Sequence, residues 1–80
     1  MEVQLEKLMQ EAGAKAVELA QLRDELRRKM RAAYLANDPD AERLDAAFEK
    51  AKRDYIYWEE KSVELEREYY RVRRKNMRDK

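Results

Sequence analysis

A single turn signal divides the chain near its midpoint. The segment Asn37-Asp38-Pro39-Asp40 holds the one proline of the 80 residues. Pro39 has a fixed φ and no N–H, so it fits the first turn of a helix, where that donor has no partner. Asp38 can accept from the free N–H groups of the same turn as an N-cap. Asn37 can take the left-handed conformation that often ends a helix.

This break predicts two long helices joined by a tight connection. We predict a first helix over residues 2–36, a turn at 37–38 and a second helix over 39–77, within one domain spanning 1–80. Helices joined by so short a turn run antiparallel. At 1.5 Å per residue each would be roughly 50–60 Å long. The predicted fold class is therefore all-α, a two-helix antiparallel coiled-coil hairpin.

Heptad repeats indicate which faces of the two helices meet. The second helix has two interleaved series: Leu44, Ala51, Trp58, Leu65, Val72 and Ala41, Phe48, Tyr55, Ser62, Tyr69. A seven-residue repeat kept this long predicts a coiled-coil seam. The first helix has one unbroken series: Leu5, Ala12, Leu19, Leu26, Ala33. Its second predicted series is Leu8, Leu22 and Ala36, interrupted by lysines at 15 and 29, where Ala16 and Met30 fill the stripe one residue later.

Folding the chain at the turn predicts which layers face each other. Trp58 and Ser62 fall opposite Ala12, Gly13 and Ala16, so we expect the large ring to pack on small residues. That packing would explain Gly13, which costs about 1 kcal/mol against alanine inside a helix. The alternative is a bend of the helix at Gly13.

Charge and residue types exclude several classes of function. Charged residues make up 46% of the chain, but 19 basic and 18 acidic side chains nearly cancel, which argues against a uniformly basic nucleic-acid binder. Cysteine and histidine are absent. We therefore predict no enzyme activity, no metal site, no cofactor and no small-molecule substrate. Because no signal-peptide pattern or apolar span is evident, we expect a cytoplasmic protein that does not enter the membrane.

Apolar residues outside the seam predict a second interface. Ile56, Val63 and Tyr70 repeat every seven residues in the second helix, and Tyr57 is close to them in sequence. Contiguous exposed apolar patches usually mark contact sites, whereas single exposed apolar residues are ordinary. We predict that these four residues form a partner or oligomer interface. A second copy could use it to build a four-helix bundle, or a larger protein could bind there.

Basic residues near the C-terminus support an alternative function. The predicted basic tail covers residues 71–80, and its possible phosphate contacts are Arg71, Arg73, Arg74, Lys75 and Arg78. Such cations bind nucleic-acid phosphates, and Tyr70 could stack on a base. Cations also stabilise helix C-termini through the helix dipole, with no ligand involved. The near-neutral net charge of +1 ranks nucleic-acid binding second.

The leading prediction is therefore a non-enzymatic protein–protein interaction module. It would act as an adaptor, an inhibitor or an assembly subunit, in the manner of a small regulatory protein. Its partner would be a second copy of itself or a larger protein. A third reading, a coiled-coil arm of a longer protein, is less favoured because the charge is balanced.

Overall fold

The computed structural model of the chain describes residues 2–78. Helix α1 spans Glu2–Leu35 and helix α2 spans Ala41–Arg78, and the described residues contain no strand. The two helices lie side by side and antiparallel in a rod of 65 × 13 × 13 Å. The predicted all-α helical hairpin is confirmed. Neither helix, over the described residues, has a stretch that is both long and apolar enough to cross a membrane.

The end of α1 is set by a left-handed residue. Asn37 has a φ of 54°, as its place before the cap predicted. The backbone N–H of Asp38 donates to the carbonyl of Ala33 at 2.8 Å, and that of Asn37 donates to Tyr34 at 3.2 Å. This pair of hydrogen bonds is a Schellman motif, which satisfies carbonyls that a helix end leaves free. Regular helix therefore ends at Leu35, one residue before the predicted end.

The start of α2 depends on Asp38. Its carboxylate accepts from the backbone N–H of Asp40 at 2.9 Å, which is the hydrogen bond of an N-cap. The N–H of Ala41 donates to the carbonyl of Asp38 at 3.1 Å, a three-residue step that makes one tight turn. The first α-type bond runs from Leu44 to Asp40. Because Pro39 and Asp40 lie in that tight turn, α2 begins at Ala41, two residues later than predicted.

The seam of α2 follows the predicted heptads. All ten residues of its two series are buried or half-buried. The buried residues among those described are all alanines: Ala12, Ala16, Ala33, Ala41 and Ala51. Large seam residues such as Trp58 and Leu65 are only half-buried, because each meets a single neighbouring helix. The hairpin therefore has a thin core.

The second seam series of α1 differs from the prediction. Leu8 and Leu22 are 48% and 44% exposed, so they lie on a flank. The residues in the seam are one position further on: Met9, Ala16, Arg23 and Met30, each buried or half-buried. Arg23 fits there because its guanidinium lies 4.6 Å from the centre of the Tyr55 ring, a cation–π contact. The seam of α1 is thus a regular heptad that includes one cation.

The predicted explanation for Gly13, that the large Trp58 ring requires a small residue there, is wrong. A Cβ added at Gly13 would meet the Ser62 Oγ at 3.9 Å, which is ordinary van der Waals contact. Trp58 lines a hollow on the side of Ala12 and Lys15, so its ring does not require a glycine at position 13. Helix α1 is continuous through Gly13. No packing contact of the hairpin therefore demands glycine.

Gly13→Ala should stabilise the protein. Alanine gains about 1 kcal/mol in helix propensity over glycine, and the added methyl group has room. The free energy of unfolding, measured in urea, should rise by about that amount. Ala20→Gly, one heptad further along the same flank, is the matched control and should lower it by a similar amount. A less stable Gly13→Ala protein would show that the layer at Ser62 is tighter than its geometry indicates.

A hydrogen bond joins the helices beside the turn. The Tyr34 hydroxyl donates to the Asp45 carboxylate at 2.9 Å. This bond, with the negative charges of Asp45 and Glu42, raises the pKa of Tyr34 above its usual value of 10.0. The stability that the bond contributes is complete below the pKa of the unfolded chain. It is lost as the pH rises through the higher pKa of the folded chain.

We therefore expect the Tyr34→Phe variant to be less stable than the wild type near neutral pH, and we expect this difference to shrink in alkali. The unfolding free energies of the two proteins should differ at about pH 8 and converge as the pH rises through the raised pKa of the folded-state phenol. Equal stabilities at about pH 8 would show that the hydroxyl contributes nothing to the turn.

Candidate interaction surface

A row of apolar residues lies on the outside of α2. Ile56, Val63 and Tyr70 are 45%, 40% and 52% exposed. Residues seven apart are only about 20° out of line on an α-helix, so the three side chains form a continuous row. Met77 extends the row by one more heptad and is also exposed. We refer to Ile56, Val63, Tyr70 and Met77 as the outer stripe.

Met77 was not among the predicted interface residues. The signal that identifies it is the same seven-residue spacing that links Ile56, Val63 and Tyr70. Met77 lies within the predicted basic tail, where its charged neighbours obscure the repeat. With Met77 included, the outer stripe spans 21 residue steps, about 32 Å of α2 at 1.5 Å per step.

The charges beside the outer stripe change sign along its length. Ile56 and Val63 share a shallow hollow whose other lining residues are mostly acidic: Glu59, Glu60, Glu64 and Arg67. Tyr70 and Met77 share the next hollow, which is lined by Arg73 and Arg74. The surface between Ile56 and Val63 is therefore mostly acidic and the surface between Tyr70 and Met77 is basic, while Lys52 adds a cation on the N-terminal side of Ile56.

Tyr70 is supported from the seam. Its ring meets that of Tyr69 edge-on, with centroids 5.4 Å apart and planes at 69°. Tyr69 is half-buried between the helices. The exposed Tyr70 ring therefore stands against a neighbour that is held by the hairpin.

Tyr57 lies away from the outer stripe. Successive residues of an α-helix are about 100° apart, so Tyr57 faces a different direction from Ile56. Its ring meets Trp58 edge-on, with centroids 5.4 Å apart. Trp58 lines a hollow with Leu8 and Leu65, residues that do not border the outer stripe. Of the four predicted interface residues, the structure brings together Ile56, Val63 and Tyr70 and separates Tyr57 from them.

The basic segment surrounds the end of α2. All five predicted phosphate contacts are exposed, and their spacing distributes them around the helix. Arg71 forms an ion pair with Glu68, and this hydrogen bond lowers the pKa of the Glu68 carboxyl. The Asn76 side chain donates to the Glu2 carboxylate at 3.3 Å, so most of the segment lies beside the start of α1. Residues 79–80 of the predicted basic tail lie outside the described residues.

The described residues do not assemble a metal-binding cluster. No group of three or more carboxylates within residues 2–78 is positioned to hold a metal ion. The side chains that stand out by exposure and alignment are apolar and aromatic. No protein-family model, curated protein or solved structure matches the chain.

Proposed function

We propose that the chain is a non-enzymatic protein-interaction module, an adaptor, inhibitor or assembly subunit that binds through the outer stripe. The observation that supports this function is the exposure of Ile56, Val63 and Tyr70 in one row, while a separate set of residues holds the hairpin together. Apolar area removed from water stabilises a complex, and a few large anchors supply most of that energy.

The thin core supports the same proposal. A domain of this size buries a small share of its surface, and many such domains obtain further burial by association. Here the only buried residues among those described are alanines. A partner helix on the outer stripe would add the large side chains that the hairpin leaves exposed. That partner is a second copy, which would complete a four-helix bundle, or a larger protein.

Replacing the outer stripe should abolish association and leave the hairpin folded. In the variant Ile56→Glu, Val63→Glu and Tyr70→Lys, every change falls outside the seam. Helical circular dichroism should be retained. The mass measured by light scattering at about 500 µM should fall to that of the monomer, and capture of partner proteins from source cells should be lost.

The matched control carries the same types of change elsewhere. Leu22→Glu, Leu35→Glu and Tyr57→Lys replace residues that are 44%, 78% and 59% exposed and lie outside the outer stripe. This control should retain association. If both variants associate like the wild type, the outer stripe is inert and the proposed function is wrong. Loss of helicity in the stripe variant alone would assign those residues to the fold.

Nucleic-acid binding is a second candidate function. The observation that favours it is the hollow in which Tyr70 meets Arg73 and Arg74, since an aromatic ring beside cations suits an unpaired base and its phosphate. The distribution of the basic residues around the helix gives no flat surface for a duplex. The candidate ligand is therefore single-stranded DNA or RNA.

Binding through these cations should depend steeply on salt. The affinity for a labelled single strand, measured by fluorescence anisotropy, should fall by tenfold or more between about 50 mM and 200 mM salt. Changing Arg71, Arg73, Arg74 and Lys75 to glutamine should remove it. Absence of binding at about 50 mM salt, where electrostatic attraction is strongest, would exclude this function.

A further inference from the structure

We infer that the outer stripe binds a second copy of this chain, with the two α2 helices antiparallel and crossing between Glu66 and Arg67. This inference rests on the proposed function and names its partner. Twofold contacts between copies are isologous, so the surface must be its own complement. A stripe that is mostly acidic between Ile56 and Val63 and basic between Tyr70 and Met77 meets this condition when the helices run in opposite directions.

The apolar residues of the outer stripe fit this crossing point. With the twofold axis between Glu66 and Arg67, Val63 comes level with Tyr70 of the second copy. Ile56 comes level with Met77 of the second copy. Each residue of the outer stripe is then covered by an apolar or aromatic side chain of the second copy, and the small Val63 lies beside the large Tyr70 ring.

The charges beside the stripe complement one another in the same register. On one flank Glu59 comes level with Arg73 of the second copy. On the other flank Glu60 comes level with Arg74 of the second copy. The twofold axis repeats both pairs, which gives four pairs of opposite charge. Glu66 meets its own copy on the first flank and Arg67 meets its own copy on the second, so this register has two pairs of like charge against four pairs of opposite charge.

Moving the crossing point by half a heptad toward the N-terminus gives a less favourable register. Val63 would then lie on Val63 of the second copy, and Met77 would lie on a glutamate, Glu49. Arg73 would come level with Lys52, and Glu59 with Glu66. Only the pairs between Glu60 and Arg67 would be attractive, so this register combines repulsion with an uncovered methionine.

The opposite shift also loses burial. Tyr70 would lie on Tyr70 of the second copy and Val63 on Met77, while Ile56 would lie past Arg78, the last described residue of the partner's α2. Attraction between Glu66 and Arg73 would be offset by repulsion between Arg67 and Arg74. The crossing between Glu66 and Arg67 is therefore the register of these three that covers the whole outer stripe and has a surplus of attractive pairs.

A charge exchange tests both the partner and the register. One variant carries Glu59→Arg and Glu60→Arg, and the other carries Arg73→Glu and Arg74→Glu. All four residues are exposed and form no ion pair within residues 2–78, so the hairpin should keep its helicity. Each variant alone would place like charges together at all four pairs. The dimer dissociation constant from sedimentation equilibrium at about 50 mM salt should therefore rise at least roughly tenfold.

Mixing the two variants should restore dimerisation. In the mixed dimer each introduced glutamate faces an introduced arginine, and each native glutamate faces a native arginine. The affinity should therefore return to within a few-fold of the wild type. The control Glu11→Arg and Glu18→Arg makes the same change in net charge on α1 and should leave the dissociation constant nearly unchanged. A mixture that dimerises no better than its components would overturn the register.

The inference that the partner is a second copy can be wrong while the proposed function is right. A wild-type chain that remains monomeric up to about 1 mM would overturn the inference that the partner is a second copy. The proposed function as an interaction module would still hold if the matched control captures a host protein that the stripe variant does not capture. If the stripe variant loses nothing, both the inference and the proposed function are wrong.

Discussion

The pairing of α1 with α2 along a single heptad seam is the interaction on which the rest of the structure depends. Two helices can enclose only small residues completely, and the buried residues of the described chain are alanines. Larger seam residues, including Trp58 and Tyr55, bury one side and leave the other in water. The seam therefore holds the hairpin with little apolar burial to spare. This thin core makes an exposed apolar row on α2 significant, because covering it adds burial that the hairpin alone lacks.

The turn gives that seam its register. Left-handed Asn37 ends α1, the Asp38 carboxylate begins α2, and the chain reverses over a few residues. Contacts along the rod agree with one alignment, from Tyr34 with Asp45 beside the turn to Glu2 with Asn76 at the open end. Register decides which layers of the two helices pair, whereas the heptad pattern decides which face of each helix turns toward the other. Ile56, Val63 and Tyr70 lie outside both seam series of α2 and are therefore left on the outside.

The sequence predicted α2 and the turn better than it predicted α1. Turn chemistry is local, and the seam of α2 has few competing apolar positions. In α1, Leu8 and Met9 both lie next to the series that begins at Leu5, and hydrophobicity alone favoured the leucine. The choice depends on the partner helix, which admits Met9 and the stem of Arg23. The row of Ile56 and Val63 could be predicted from its spacing, whereas grouping Tyr57 with it ignored the angle between adjacent residues.

The claim that a second copy of the chain covers the outer stripe is tested most directly by the thermal stability of the unmodified protein at different concentrations. An isolated hairpin unfolds at a Tm that does not depend on concentration, whereas a dimer gains stability by mass action. Melting followed by circular dichroism from about 1 µM to 1 mM should give a Tm that rises by a few degrees for each tenfold step. A constant Tm over that range, with a monomer mass throughout, would contradict self-association through the outer stripe.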